Sequence, residues 1–363
     1  MTTSSPGWGI LGAGRIAHLF ARDLRTGGHR LAAVGSRDLT RAQAFADEHA
    51  IANVHEGYEA LAADPDVDVI YIATPHSHHL QHALPAIGAG KHLLIEKAFT
   101  TTGDDAQQLV DAARTAGVFV MEAMWTRFLP TMDAVRARIA SGDLGGVVSI
   151  TADHSQVLDL SPGSRLIEPS LGGGALLDLG VYCVSLASAF LGPVARVHAA
   201  GVVDAQGVDH RGSAILEHAN GGTSSVTFSM ETLGSNRAVI AGTEGVIELD
   251  PAFYVSTSFT RRSASDPNRA AESFTPSIEG RGMQFQAAEV ERCIAAGQLE
   301  SPLMPLDESV AIMRVMDEIA RQMLLQDSRA AASRAAMRSC TSGRRSGGTV
   351  LGGWRRSGRS SIR

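Results

Sequence analysis

Two rhythms of apolar and polar positions alternate through the first third of the chain. "GWGIL" (7–11) is a short apolar run, and apolar positions at helical spacing follow from Arg15 to Arg25. "RLAAVGS" is a second run, followed by the helical "LTRAQAFADEHA". After "YEALAADPDV" comes "DVIYIAT", continuous and β-branched, as expected of a strand covered on both faces. The helix "HHLQHALPAIGAG" ends at Gly90 and leads into "HLLIEK", and "GDDAQQLVDAARTAG" ends at Gly117 before "VFVMEA". Strands alternating with helices predict right-handed crossovers in a parallel sheet, a doubly wound domain over residues 1–125.

The rhythm then changes. "VVSITADHS", "ARVHAAGVV", "RGSAILEHA", "GTSSVTFSM", "NRAVIAG" and "GVIELD" read as strands joined by short turns, one of them Asn220-Gly221-Gly222. The apolar helix "GGALLDLGVYCVSLASAFLG" is interposed early, and "GMQFQAAEVERCIAAG" and "LDESVAIMRVMDEIARQ" are late helices. The expected class is α/β: a doubly wound parallel sheet, then an α+β domain over 126–327 with a large, mainly antiparallel open sheet. At 363 residues two cores are the default. The strands from about 195 to 260 expose one sheet face, expected to carry Val226, Phe228 and Met230. A large bare apolar face is unusual on a monomer, so a homodimer or a dimer of dimers built through this sheet is expected.

Composition narrows the class. Three scattered cysteines (Cys183, Cys293, Cys340) read as thiols of a reducing compartment, not as a disulfide or zinc framework. No basic and apolar leader opens the sequence, and no apolar run approaches the roughly 20 residues of a bilayer span, so a cytoplasmic location is expected. Nine arginines and no acids lie between Ser328 and Arg363, leaving 23 cations against 38 acids in the body, a net −15. An acidic body argues against a nucleic-acid enzyme. The Ser/Gly/Arg-rich tail (328–363) reads as an extension without regular structure.

The candidate chemistry begins at Gly12-Ala13-Gly14-Arg15-Ile16-Ala17, a G-x-G-x-x-A turn between strand and helix. Gly12 permits the turn, Gly14 admits a pyrophosphate, and Ala17 allows close packing, with the phosphates at the helix N-terminus beside Arg15 and Ile16. This is the fingerprint of a Rossmann domain that binds NAD or NADP. The second strand ends in Ser36-Arg37-Asp38, with Arg41 one turn further on. Two guanidinium groups can grip a 2′-phosphate, which favours NADP; Asp38 serving the ribose hydroxyls would favour NAD instead.

Three further stretches fall where such a sheet opens its ligand crevice: "ATPHSHH" with Thr74, Pro75, His76 and His79, "EKAF" with Glu96 and Lys97, and "MEAMWTRF" with Trp125 and Arg127. In "GGGALLDLGVY", Asp178 and Tyr182 stand four apart on one helix face. Tyr182 near Lys97 would have its phenol pKa lowered and could exchange a proton with a carbinol. His154 is a further candidate for the same pocket. His76, His78 and His79 invite a metal, but no Cys or carboxylate stands at a useful local spacing, so none is expected there.

In these residues the sequence resembles the Gfo/Idh/MocA oxidoreductases, and among them the branch of dimeric trans-dihydrodiol dehydrogenases and NADP-dependent xylose dehydrogenases. The resemblance spans about residues 7–325, through "GAGRIA", "SRDLTRA", "IEKAFT", "MEAMWTRF", "GGGALLDLGVYCVSL" and "GTEGVIEL". It implies that Lys97 is the lysine of an E-K-P motif, with Ala98 in the proline's place, that Tyr182 is the acid/base, and that Asp178 orients substrate and lysine. It further implies that Arg37 and Arg41 are the NADP pair, and that Trp125 and Arg127 stand near nicotinamide and substrate. The expectation is an NADP-dependent enzyme passing hydride between nicotinamide and a carbinol or carbonyl of a polyhydroxylated ring, a sugar or a trans-dihydrodiol. The rivals are an NAD-dependent, redox-cycling glycosidase of the same family and a non-catalytic NADP sensor.

Overall fold

The computed structural model describes residues 5–343, apart from 256, 265 and 267–269, with side chains through residue 326. The first half carries β1 (Gly7–Leu11), α1 (Arg15–Thr26), β2 (Arg30–Ser36), α2 (Leu39–His49), β3 (Asn53–Glu56) and α3 (Tyr58–Ala62). It continues with β4 (Val69–Ile72), α4 (His79–Gly88), β5 (His92–Glu96), α5 (Gly103–Ala116) and β6 (Val120–Ala123). The six strands pair in parallel in the order β3-β2-β1-β4-β5-β6, the doubly wound order of a dinucleotide fold. Residues of β1, β4 and β6 are buried throughout, because helices cover both sheet faces; this is why β1 and β4 read as unbroken apolar runs, with Glu122 the one polar residue in β6. Order reversal between β1 and β4 leaves a crevice above their carboxyl ends, where Gly12, Thr74 and Lys97 all fall.

The second half comprises α6 (Pro130–Ala140), β7 (Val147–Ser155), α7 (Val181–Leu191), β8 (Val194–Val203), β9 (Asp209–His218), β10 (Thr223–Ser229) and β11 (Ala238–Gly242). β12 (Gly245–Leu249), β13 (Phe259–Ser263), β14 (Glu272–Phe274), α8 (Gln284–Ala295) and α9 (Leu306–Gly343) complete it. Eight strands form one sheet, β14-β13-β12-β11-β7-β10-β9-β8, antiparallel except for the parallel β7–β10 pair. Helices α7 and α9 pack on one face. Along β10, Ser224, Val226 and Phe228 point into that layer, while Thr223, Ser225 and Thr227 are exposed. This corrects the expected open face: Val226, Phe228 and Met230 are fully buried within the chain. Alternation separates the two faces of a strand, but it does not say which one its own helices will cover.

The outer strand β8 has its free edge covered by α9. The Gln322 amide accepts from the Ala199 N–H (2.8 Å) and donates to the Val197 carbonyl (2.7 Å), while Gln326 donates to the Ala199 carbonyl (3.0 Å). Helix α9 continues to Gly343, so the first part of the tail expected to lack regular structure is helical; residues 344–363 lie outside the described residues. Pro169–Leu191 is long and apolar enough to span a bilayer, contrary to the reading that no run comes close, but 72% of its apolar window is buried in the fold. Late segments also return to the first sheet's helices: α8 packs on α1 and α9 on α5.

Candidate active site

Lys97 emerges from the buried end of β5 with its stem enclosed and its ammonium turned toward α7. Its Nζ donates to the Asp178 carbonyl (2.8 Å) and carboxylate (3.3 Å) and stands 5.0 Å from the Tyr182 ring centroid. Asp178 lies in a single π turn, Leu176–Gly180, that runs directly into α7 and Tyr182. Wider than an α turn, this π turn keeps residues four apart close to one face and points both groups at Lys97. A carboxylate not anticipated from sequence sets its start: Asp209 of β9 accepts from the Leu176 N–H at 2.7 Å. The same carboxylate would lie 2.3 Å from a Cβ at Gly174, whose φ of +124° also requires glycine. The glycine run therefore serves the docking of this turn onto β9.

Tyr182 is buried, and its hydroxyl accepts from the Trp125 indole at 3.1 Å. His154 meets the Tyr182 ring edge-on at 5.1 Å and stacks on Tyr254 at 3.6 Å. Gln156 joins His154 (2.8 Å) to the Tyr254 hydroxyl (3.0 Å). Arg165 donates to Asp178 at 2.9 Å, and the Arg281 guanidinium lies 5.6 Å from the Trp125 ring centroid. Gln156, Arg165, Tyr254 and Arg281 were not candidates from sequence. They come from segments without apolar periodicity, and only the concentration of polar and aromatic residues in those segments hinted at them.

Electrostatics divide the cluster into charged and neutral members. Burial would lower the Lys97 pKa, but Asp178, then Tyr182 and Glu96, outweigh it and raise it, so the ammonium persists. Burial pushes Asp178 upward, yet Lys97, Arg165 and His76 hold its carboxyl well below the usual range. Tyr182 departs from expectation: burial raises its pKa above the ordinary 10, and the opposing pull of Lys97 does not reverse this. Desolvation takes His76 and His154 down to about 3 and His79 to about 4, leaving neutral rings.

Other candidates make hydrogen bonds within the fold. Arg127 does not face the crevice: its guanidinium is buried and spent on Ser185 Oγ (2.8 Å), the Ser185 carbonyl (2.8 Å) and Glu308 (2.7 Å). Glu96 turns inward and accepts from the Tyr71 hydroxyl. His79 lies among the carbonyls of Thr74, Ala98 and Phe99, fixing the crevice loop to the strap after Lys97. His76 holds the Gly172 carbonyl (2.9 Å) through Nδ1 while lying near Lys97 and Asp178. Beneath that strap, Glu122 accepts from the Phe99 N–H (3.1 Å) and Ser309 (2.9 Å), with burial raising its pKa to about 7.

The dinucleotide end suits its expected ligand. Gly12 adopts φ +102° and donates to the Gly35 carbonyl at 2.9 Å, completing the tight turn. Gly14 is the N-cap of α1 and supplies no side-chain cap; a Cβ there meets nothing within 4 Å. The first N–H groups of α1, at Arg15 and Ile16, thus face open space suited to a pyrophosphate. At the end of β2, the buried Ser36 hydroxyl accepts from the Asp38 N–H (3.2 Å). Asp38 in turn caps α2 through the Arg41 N–H (3.2 Å) and pairs with the Arg41 guanidinium at 3.5 Å. Arg37 and Arg41 are exposed. Thr74 contacts His82 (3.1 Å), and Pro75 precedes the short helix His76–His78.

Residues 7–124 match the family described as an oxidoreductase family with an NAD-binding Rossmann fold, and residues 132–248 match the GFO/IDH/MocA C-terminal domain. Among curated relatives, trans-1,2-dihydrobenzene-1,2-diol dehydrogenase of Danio rerio is 36% identical over 323 residues, covering 87% of this chain and 96% of the relative. The same-named protein of Bos taurus is 35% identical over 321 residues, covering 86% and 95%. Among solved structures, an aldose–aldose oxidoreductase from Caulobacter crescentus with glycerol superposes with a TM-score of 0.78 at 26% identity, over 88% of this chain and 97% of that one. A 3-ketoreductase from Actinomadura kijaniata with NADP and TDP-benzene gives 0.75 at 26% identity, covering 88% and 98%.

Proposed function

The chain belongs to the GFO/IDH/MocA oxidoreductases, and from that premise we propose that it is an NADP-dependent dehydrogenase or reductase of a polyhydroxylated ring, a sugar or a trans-dihydrodiol. The observation that carries this reading is the convergence of Lys97, Asp178 and Tyr182 at the carboxyl end of the sheet that also carries the uncapped glycine turn. Bound there, the nicotinamide supplies the acceptor or donor of hydride. Tyr182 exchanges the proton of the reacting hydroxyl. With its pKa raised, it is a protonated acid at neutral pH, ready to donate to the oxygen that gains charge during reduction. Lys97 stabilises negative charge on that oxygen and on the phenolate in the reverse direction. Asp178 holds the ammonium in place from its carbonyl and carboxylate.

Trp125, Tyr254 and His154 offer apolar ring faces, while Gln156, Arg165 and His76 offer polar groups, a combination suited to a ring bearing several hydroxyls. A panel of trans-dihydrodiols, pentoses and hexoses, each tested with NADP and NAD by nicotinamide absorbance, is expected to give turnover within this class, fastest with NADP. Glycoside cleavage without net nicotinamide reduction would overturn the reading in favour of a redox-cycling glycosidase. Binding of NADP without turnover of any ring would favour a sensor.

The second domain's open face supports self-association. Val202 is 41% and Ile215 53% exposed on adjacent strands, paired opposite Arg211 and His198 respectively, with Ser213, Ser225 and Thr227 on the same face. This face, two apolar side chains among hydroxyls and charged pairs, is proposed as a homodimer contact, alone or within a dimer of dimers. Light scattering at micromolar concentration is expected to give at least a dimer, and I215K a monomer; a monomeric wild type would refute it. The buried, free Cys183 and Cys293 support a cytoplasmic setting.

A further inference from the structure

Away from the crevice, three metal-type ligand atoms converge between α1 and α2. His18 Nδ1 lies 3.0 Å from His49 Nε2 and 3.2 Å from Glu48 Oε2, and His49 Nε2 lies 3.7 Å from Glu48 Oε1. Ligand atoms at about 2.0–2.1 Å around one tetrahedral ion stand about 3.3 Å apart, so the two shorter separations already lie near the edges of such a site. His49 is buried and His18 half-buried, both against Phe45, whose ring lies 4.5 Å from each. The carboxylate is oriented from outside: Arg22 donates to Glu48 Oε1 at 2.8 Å, leaving Oε2 toward His18. Such an outer partner fixes a monodentate carboxylate without occupying the ligating oxygen.

We propose that His18, Glu48 and His49 form a binding site for a divalent transition-metal ion of the zinc class, with a fourth position open to water. Two imidazoles and one carboxylate suit zinc or cobalt and disfavour calcium or magnesium, which take oxygen ligands. The ion has no part in the hydride chemistry. It ties α1, whose first turn faces the pyrophosphate, to the last turn of α2, and the proposal stands whether or not the assigned substrate class is correct.

The test uses the full chain, stripped with chelator and titrated with cobalt and then zinc. One equivalent of cobalt is expected to produce the visible absorption of a low-coordinate nitrogen and oxygen site, displaced by zinc, and zinc is expected to raise the thermal midpoint. H18Q and E48Q should abolish both responses while keeping the wild-type circular dichroism and NADP affinity. R22A should weaken binding about tenfold, as loss of an outer partner does. H78A combined with H82A should leave binding intact. No one-equivalent binding at about 100 μM metal overturns the proposal. So does binding that survives in H18Q and E48Q, or that is lost in H78A/H82A, which would place the ion at the crevice histidines.

Discussion

Replacing Tyr182 by Phe is expected to lower turnover by about 10²–10⁴-fold while leaving NADP affinity unchanged. In the proposed reaction the phenol hydroxyl meets the substrate oxygen, with Trp125 and Lys97 as its neighbours. Lys97→Met should cause similar damage, because loss of the ammonium removes the largest influence favouring a buried phenolate. Residues acting as a unit are non-additive, so the double variant should be little worse than either single one. Burial places the Tyr182 ionisation above the ordinary value of about 10, so its basic form grows about tenfold per pH unit below that value. Oxidation should therefore rise with pH through roughly pH 9 without a plateau, while reduction, which needs the protonated phenol, stays flat on this group's account. Steady-state kinetics in both directions decide the matter. Near-normal turnover of Y182F would send the proton elsewhere, His154 and His76 being next, and fully multiplicative losses would dissolve the Lys97–Tyr182 relay.

The second large effect concerns the cofactor. Replacing Arg37 and Arg41 by Ala together should weaken NADP binding by about 2–4 kcal/mol, the value of two charge-assisted contacts, and scarcely alter NAD. The local geometry gives the reason. Asp38, the residue positioned to serve an NAD ribose, is occupied in capping α2 and pairing with Arg41. Both guanidinium groups remain exposed at the end of β2, above the buried Ser36, where a 2′-phosphate can reach them. Calorimetric titration of both dinucleotides checks this; equal losses would show that the arginines do not read the phosphate.

Sequence made the first sheet legible because strands covered on both faces, such as "DVIYIAT", differ sharply from the amphipathic helices between them. Lys97, just past the end of β5, and Asp178 and Tyr182, four apart where an apolar helix begins, could be singled out from residue type and spacing. Residue type and spacing do not disclose partners, and those of Arg127 and Glu96 could not be read from them. Each has the chemistry of a site residue but finds its hydrogen bonds inside the protein, with Ser185 and Glu308 for one and Tyr71 for the other. Tyr254 and Arg165 were missed because they stand on segments where no period exists to read. The raised Tyr182 pKa was missed for a third reason: the neighbouring lysine is visible in the sequence, whereas the depth of burial that outweighs it is a property of the assembled fold.

The two glutamines that α9 lays along β8 bear on what this chain avoids. A bare outer strand offers a ladder of donors and acceptors on which another chain can crystallise, the first step toward fibrous aggregates. Gln322 and Gln326 hold the Val197 carbonyl and both backbone groups of Ala199 at the middle of that ladder. An incoming strand would have to displace α9 before it could pair there. The β8 edge is thus closed to end-on pairing between copies of the chain, which has no natural limit. Substituting both glutamines by Ala would remove that guard and leave a folded protein whose shelf life at high concentration is shorter.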